Sequence, residues 1–170
     1  MSAAVRNMSA DREIEVRKLL AGVPDPEIPV LSIVDLGIVR EVREEADGRM
    51  RVAITPTYSG CPATEVIRTL VRAALDAGGY ADAIVEEVLS PPWTSDWLTE
   101  AGREKLRAFG IAPPAGRVAS PRQLMGAPAV SCPRCASRET ERVSEFGSTP
   151  CKAHYRCSAC GEPFDYFKCH

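Results

Sequence analysis

Two pairs of cysteines near the end of the chain limit its fold more than any other feature. Each pair has the spacing Cys-x-x-Cys, with the first at Cys132–Cys135 and the second at Cys157–Cys160. About twenty residues separate the pairs, which is the spacing of zinc sites built from two tight turns. Such a turn directs both sulfurs of its pair toward one metal, and Gly161 supplies the permissive backbone that follows the second pair. The pattern predicts a zinc-ribbon-like domain in which four thiolates hold one structural zinc ion.

The small number of large side chains in this segment supports a structural role for the metal. The segment has only five large aromatic residues, too few to hold about forty residues together by burial alone. These residues are Phe146, Tyr155, Phe164, Tyr166 and Phe167. Metal binding would therefore contribute directly to the free energy of folding.

The four cysteines also allow other interpretations. Disulfides are expected in secreted proteins, but the first residues carry charges where the apolar core of a signal peptide would lie. A redox Cys-x-x-Cys is expected at a strand-to-helix turn, whereas both pairs lie among short polar and aromatic segments. An iron–sulfur cluster on the same thiolates stays open, because the sequence does not distinguish the two metals. We expect a cytoplasmic protein with a structural zinc site, and the cluster is the alternative.

Further side chains that can bind metals occur in the same segment. They are Cys151, His154, Cys169 and His170. The simpler and favoured interpretation is that Cys151 fills a small buried position and that the last two residues form a frayed terminus. The alternative is a second, labile thiol or metal site beside the zinc.

The charge balance disfavours nucleic acid as a partner. The 170 residues include 21 Lys and Arg against 23 Asp and Glu, which gives a formal net charge of −2. A basic surface is the electrostatic signature of nucleic-acid binding, and the sequence has no large basic cluster. No run approaches the roughly eighteen apolar residues that cross a membrane. We expect neither nucleic acid nor a membrane among the partners.

Residues 9–112 carry the signals of a small α+β domain with the element order αββαβα. A flexible tail, 1–8, precedes it, and the Pro-, Gly- and Ala-rich segment 113–129 is typical of a linker to the ribbon, 130–170. Periodicity and turn residues define the elements. They predict a helix capped by Ser9, a hairpin turning at Asp47-Gly48, a helix ending at Gly78-Gly79, a strand over 83–89 and a helix from Thr94 or Ser95 to Gly110.

Cys61 lies where the second predicted strand leads into a helix. Pro62 suits the first helical position, which puts Cys61 at the N-cap beside unpaired backbone amides. The positive end of the helix dipole stabilises a thiolate there, so Cys61 could act as a nucleophile or bind a soft metal. A cysteine that merely fills a small cap position is the alternative, and the residues alone leave both open.

Several short motifs resemble, in order, the small domain of the SufT-type iron–sulfur assembly factors over roughly residues 10–110. They are Asp25-Pro-Glu, Asp35-Leu-Gly, Thr55-Pro-Thr, Gly60-Cys-Pro and Pro92-Trp93. Taken alone, Asp25 and Glu27 are typical of solvated loop acids, and Asp35 is typical of a turn. The resemblance instead implies that Cys61 is a reactive or iron-contacting thiol. It implies that Asp25, Glu27, Asp35 and Thr57 form the surrounding loops.

Three other segments resemble the phenylacetate-degradation protein D family over nearly the whole chain. They are residues 58–65, 146–152 and 162–169. Proteins of that family accompany the multicomponent oxygenase that epoxidises the ring of phenylacetyl-coenzyme A, whose reductase carries an iron–sulfur cluster. The resemblance implies that the subunits of this epoxidase, including the reductase, are partners. Iron–sulfur assembly machinery is a further expected partner.

The resemblance leaves two expectations for function. In the first, the protein helps to deliver iron or an iron–sulfur cluster, bound transiently, to the epoxidase. In the second, it is a stable non-catalytic or electron-transfer subunit. We do not expect catalysis by this chain, because the sequence shows neither a substrate-sized catalytic constellation nor the Glu-x-x-His pair of di-iron oxygenases.

Overall fold

A computed structural model of the protein describes residues 3–58, 60–115 and 130–168. The chain forms two compact units, Met1–Trp93 and Thr94–His170. Across these described ranges, no helix combines the length and the apolar character needed to cross a membrane.

The first unit contains a three-stranded sheet and two helices. Strand β1 (Val39–Glu44) pairs antiparallel with β2 (Met50–Ile54), and β2 pairs in parallel with β3 (Ile84–Glu87). Helix α1 (Ala3–Leu20) precedes the sheet, and helix α2 (Ala63–Ala77) connects the two parallel strands. The hairpin turns at the predicted position, where Gly48 has a φ of 84° that favours glycine. The predicted mixed α+β class is confirmed.

The helices cover the sheet with regularly spaced apolar residues. On α2, the buried positions recur every four residues at Ala63, Ile67, Val71 and Leu75, so they form one stripe along the helix. On β2, Met50, Val52 and Ile54 are buried at alternate positions, as expected for the covered face of a strand. This packing fixes the end of β2 and the start of α2 on a common core. Cys61 lies between these two points of the chain.

The second unit contains a helix and a four-stranded sheet. A short 3-10 turn (Ser95–Trp97) leads to helix α3 (Glu100–Phe109). The strands are β4 (Ile111–Ala112), β5 (Thr140–Ser144), β6 (Lys152–Cys157) and β7 (Pro163–Phe167). Their order in the sheet is β4-β7-β6-β5, with β6 antiparallel to both neighbours and β4 parallel to β7.

The starts of helices α1 and α3 differ from the sequence-based expectations. Helix α1 begins at Ala3, so Ser9 lies inside it rather than at its cap, and the alanines at its start favour helix. Helix α3 begins after Thr99, whose Oγ1 accepts a hydrogen bond from the Gly102 amide at 3.0 Å. Thr94 caps only the short turn before it. Thr94 and Thr99 carry the same local cap signal, and the turn between them decides where the longer helix starts.

Helix α3 belongs to the same compact unit as the ribbon strands. Strand β4 follows this helix at once, and its two residues pair with Asp165 and Tyr166 of β7. This pairing is why the second unit begins at Thr94, before the predicted domain end at residue 112. Residues 116–129 of the predicted linker lie outside the described residues.

Candidate metal centre and candidate thiol site

The first cysteine pair forms a tight turn closed by two backbone hydrogen bonds. The Cys132 amide donates to the Ser137 carbonyl, and the Ala136 amide donates to the Cys132 carbonyl, both at 2.9 Å. Ala136 closes this turn with a φ of 61°, a region that residues other than glycine rarely adopt. Cys135 therefore directly precedes the residue with this unusual backbone conformation.

The second cysteine pair repeats this backbone pattern. The Cys157 amide donates to the Glu162 carbonyl, and the Gly161 amide donates to the Cys157 carbonyl, again at 2.9 Å. Gly161 has a φ of 78° and occupies the position that Ala136 holds in the first turn. The two metal-binding turns, residues 132–137 and 157–162, are therefore equivalent position by position.

The four sulfurs of these turns lie at the spacing of ligands around one ion. All four Sγ atoms lie within 4.8 Å of one another. The Sγ atoms of Cys132 and Cys160 are 3.8 Å apart, and those of Cys135 and Cys157 are 3.6 Å apart. A tetrahedral zinc ion with Zn–S bonds of 2.3 Å separates its sulfurs by about 3.8 Å. The donor set and its geometry fit a closed four-thiolate zinc site.

Ionisation of the thiols also favours a bound cation. The hydrogen bond from the Cys160 amide is the main cause that lowers the pKa of Cys157 to about 7. For Cys135, the Ser137 amide lowers the pKa, but the thiol of Cys160, burial and the other two thiols together raise it to about 12. The four sulfurs cannot all become thiolates side by side unless a positive ion neutralises their charge.

We expect the two equivalent turn positions to respond oppositely to substitution. Gly161→Ala should lower the free energy of unfolding of the ribbon by about 1 kcal/mol, because its positive φ disfavours a side chain. A Cβ there would meet no atom within 4 Å, so this cost comes from the backbone alone. Ala136→Gly should relieve the same strain and raise the free energy of unfolding, by less than about 1 kcal/mol.

Urea unfolding of zinc-loaded protein, followed through the ribbon aromatics, would measure both changes. Gly60→Ala is the matched control, since Gly60 has a φ of 83° and open space but lies in the first unit. It should leave the ribbon transition unchanged. Equal effects of Gly161→Ala and Ala136→Gly would contradict the assigned strain.

The remaining candidate ligands of the ribbon have other neighbours. The buried Cys151 lies with its Sγ 3.0 Å from the Thr149 hydroxyl oxygen. His154 Nδ1 lies 3.4 Å from Asp165 Oδ1. The buried Lys152 forms an ion pair with the same carboxylate, with 3.3 Å between its Nζ and Asp165 Oδ2. Among the described residues, only the four cysteines form a group of three or more potential metal ligands. Cys169 and His170 lie outside the described residues, so the second site stays a prediction.

Asp25 and Asp35 are buried and hold their own loop together. Asp25 Oδ1 accepts hydrogen bonds from the amides of Glu27 at 2.9 Å and Ile28 at 2.7 Å. Asp35 Oδ2 accepts from both the amide and the hydroxyl of Ser32 at 2.9 Å. Asp25 is thus not the solvated acid that its sequence context alone suggested, because the backbone amides of the loop replace water around its carboxylate.

Three loops of the first unit meet where β2 ends. The Thr55 amide donates to the Ile38 carbonyl at 2.9 Å, and the Val88 amide donates to the Ile54 carbonyl at 2.8 Å. The buried indole of Trp93 donates to the Leu36 carbonyl at 2.8 Å. The structure thereby joins the loop of Asp25 and Asp35 to the start of the segment that carries Thr57 and Cys61. This positioning role of Trp93 was not predicted from the sequence, in which the only signal is a tryptophan after Pro91-Pro92.

Cys61 is half-buried and lies two residues before helix α2. Its amide donates to the Tyr58 carbonyl, and its carbonyl accepts from the Thr64 amide, each at 3.2 Å. The helix cap is Pro62, one residue later than expected, and Pro62 already has helical angles with φ −66° and ψ −21°. Cys61 therefore lies next to the first turn of the helix, where the helix dipole favours negative charge. Thr57 is on the same connection, and Glu27 is half-buried on the loop of Asp25.

Comparison with known proteins assigns a family to one segment within each of the two compact units. Residues 13–86 match the family of iron–sulfur cluster assembly proteins, and residues 117–168 match the PaaD zinc β-ribbon domain. A crystal structure of a domain of unknown function, DUF59, from Bacillus anthracis superposes with a TM-score of 0.55 at 26% identity. The match covers 59% of this chain and 96% of the Bacillus anthracis chain. The protein combines an assembly-type domain with a zinc ribbon.

Relatives of known name define the family. The Fe–S protein maturation auxiliary factor YitW of Bacillus subtilis (strain 168) is 41% identical over 47% of this chain and 78% of its own length. A protein of Escherichia coli (strain K12), whose name describes a subunit of 1,2-phenylacetyl-CoA epoxidase, is 52% identical over 155 residues. That match covers 91% of this chain and 92% of the relative. The chain belongs to the phenylacetate-degradation protein D (PaaD) family.

Proposed function

We propose that this protein is an accessory factor that helps to deliver iron or an iron–sulfur cluster to the phenylacetyl-CoA epoxidase. The observation that carries the proposal is the joining, in one chain, of an iron–sulfur assembly domain to a PaaD-type ribbon. In this proposal, the assembly domain carries the iron or cluster, and the ribbon directs its delivery to the epoxidase.

Cys61 is the residue that would contact iron in this function. It lies beside the first turn of α2, and cysteine sulfurs are preferred ligands of iron in iron–sulfur clusters. Three loops, joined by backbone hydrogen bonds and by the bond from the Trp93 indole to the Leu36 carbonyl, meet at this end of the sheet. A half-buried thiol on such a surface suits transient binding, because a transferred ion or cluster must leave as readily as it arrives.

The ribbon would act as a docking module in the same function. Its four thiolates form a closed set around one ion, which supports a structural role for the zinc. The spacing of the sulfurs also suits one ion better than a cluster of several irons. Docking to the epoxidase subunits, including its iron–sulfur reductase, is the role proposed for this domain.

A second candidate function is that of a stable, non-catalytic or electron-transfer subunit of the epoxidase. The name of the Escherichia coli relative, which is 52% identical, favours this alternative because it describes a subunit. The two functions differ in stoichiometry and metal. A subunit co-purifies in fixed ratio with the epoxidase, and an electron carrier has a coloured redox centre on the ribbon cysteines.

The test is to purify the epoxidase components from cells with and without this protein, and to measure their iron, acid-labile sulfide and activity. We expect the components from deletion cells to be iron-poor and inactive. They should recover when clusters are rebuilt chemically, without this protein. Components that are fully loaded but active only after the purified protein is added would refute delivery and support the subunit.

A further inference from the structure

Arg134 links the two metal-binding turns through its side chain. It lies between the ligands Cys132 and Cys135 of the first turn, and its guanidinium forms an ion pair with the carboxylate of Glu162. Glu162 ends the second turn, 28 residues further along the chain. The equivalent position to Arg134 in the second turn is Ala159, which has no charge. Only the first turn therefore has a charged residue at this position, so the ion pair is not a consequence of the backbone pattern that the two turns share.

The two partners of this ion pair are also near metal ligands in the sequence, since Arg134 is next to Cys135 and Glu162 is two residues after Cys160. The hydrogen bond to Glu162 is the main cause that raises the pKa of Arg134, and the charges of Cys160 and Cys132, one from each turn, raise it further. Four thiolates around one divalent zinc ion leave a net charge of −2 on the centre. A fixed positive charge beside two of the sulfurs offsets part of that excess. Cys160 and Cys135 are exposed, so this side of the centre faces water and competing ligands.

We propose that Arg134, oriented by Glu162, is a positioning residue that slows release of the metal from the four-cysteine site. The ion pair is largely exposed, with 70% of the Arg134 side chain accessible, and such pairs add little to folding stability. Its effect should therefore fall on the metal rather than on the fold. Residues that orient and tune metal ligands commonly change the affinity for the metal. This inference rests on zinc binding by the ribbon and is independent of any role in the epoxidase system.

The experiment measures zinc release from the full-length protein to the chromogenic chelator 4-(2-pyridylazo)resorcinol. Arg134→Ala should release zinc about fivefold faster than wild type at low ionic strength. The difference should shrink in high salt, because salt screens the guanidinium from the exposed sulfur of Cys160. Arg134→Lys should restore most of the slow release, since it keeps the charge. Glu162→Gln should give a smaller acceleration, since the guanidinium stays but loses its orienting partner.

Arg142→Ala is the matched control. Arg142 also forms an exposed ion pair within the ribbon, with Glu145, but neither residue lies in a metal-binding turn. Its removal should leave the rate of zinc release unchanged. The role of Arg134 is refuted if Arg134→Ala releases zinc at the wild-type rate, if Arg134→Lys is as fast as Arg134→Ala, or if the control accelerates equally.

Zinc content, measured before each release experiment, separates two kinds of failure. Wild-type protein that contains no zinc would overturn the premise of the inference. Zinc-loaded variants that release metal at the wild-type rate would overturn the role of Arg134 alone. Neither result depends on epoxidase iron or activity, so the proposed function is tested separately.

Discussion

Replacing both Cys132 and Cys135 by serine is expected to abolish zinc binding and unfold the ribbon. Two of the four thiolates are lost, and structural zinc contributes about 10–16 kcal/mol in zinc-finger peptides. That exceeds what the small aromatic core around Tyr155, Phe164 and Tyr166 can supply. Zinc content should fall from about one ion per chain to near zero. Amide hydrogen exchange should become fast throughout β5, β6 and β7.

The first unit provides an internal reference for this result. Its core includes neither Cys132 nor Cys135, so the amides of β2 should stay protected from hydrogen exchange in the double variant. Cys151→Ser is the matched control, because Cys151 is buried in the same ribbon but lies outside the group of four ligands. It should cost some stability yet retain zinc. Full zinc retention by the double cysteine variant would refute the assigned ligands.

The parts of this structure that the sequence predicts are those encoded by neighbouring residues. Two Cys-x-x-Cys turns specify their metal ligands locally, and Asp47-Gly48 specifies a hairpin turn. Cap residues were less informative. Thr94 and Thr99 both satisfy the local requirement for a cap, and only the complete fold shows that α3 starts after Thr99.

Features that depend on contacts between distant segments were not predicted from the sequence. Strand β4 has two residues and no recognisable period, yet its pairing with β7 assigns α3 to the second unit. The ion pair between Arg134 and Glu162 requires both metal-binding turns to be in place first. Each of these needs tertiary structure that a local pattern does not contain.

Substitution of Cys61 is expected to remove function while leaving the fold intact. Cys61→Ala should change the free energy of unfolding by less than about 1 kcal/mol, because the side chain is half-buried at a loop edge. Cys61→Ser keeps the size of the side chain but cannot bind iron as a thiolate does. Both variants should fail to restore growth on phenylacetate in a strain that lacks the native gene. Wild-type protein should restore it.

Chemical labelling tests the reactivity that this prediction requires. In zinc-loaded protein, iodoacetamide at neutral pH should modify Cys61 before the four ribbon ligands, since zinc masks those thiols. Cys151 should also react slowly because it is buried. Mass spectrometry of proteolytic fragments would give the rate at each cysteine. Slow labelling of Cys61, with loss of stability on substitution, would instead indicate a cysteine that only fills a cap position.

The location of the defect decides between delivery and a purely structural role for the thiol. Thr64→Ala is the matched control, since Thr64 is half-buried in the first turn of the same helix and should leave growth normal. Epoxidase components purified from Cys61→Ala cells should contain little iron and should regain activity after chemical reconstitution. The same components from Thr64→Ala cells should arrive loaded. If Cys61→Ala cells yield fully loaded, active components, transfer through this thiol is excluded, because iron then reaches the epoxidase without it.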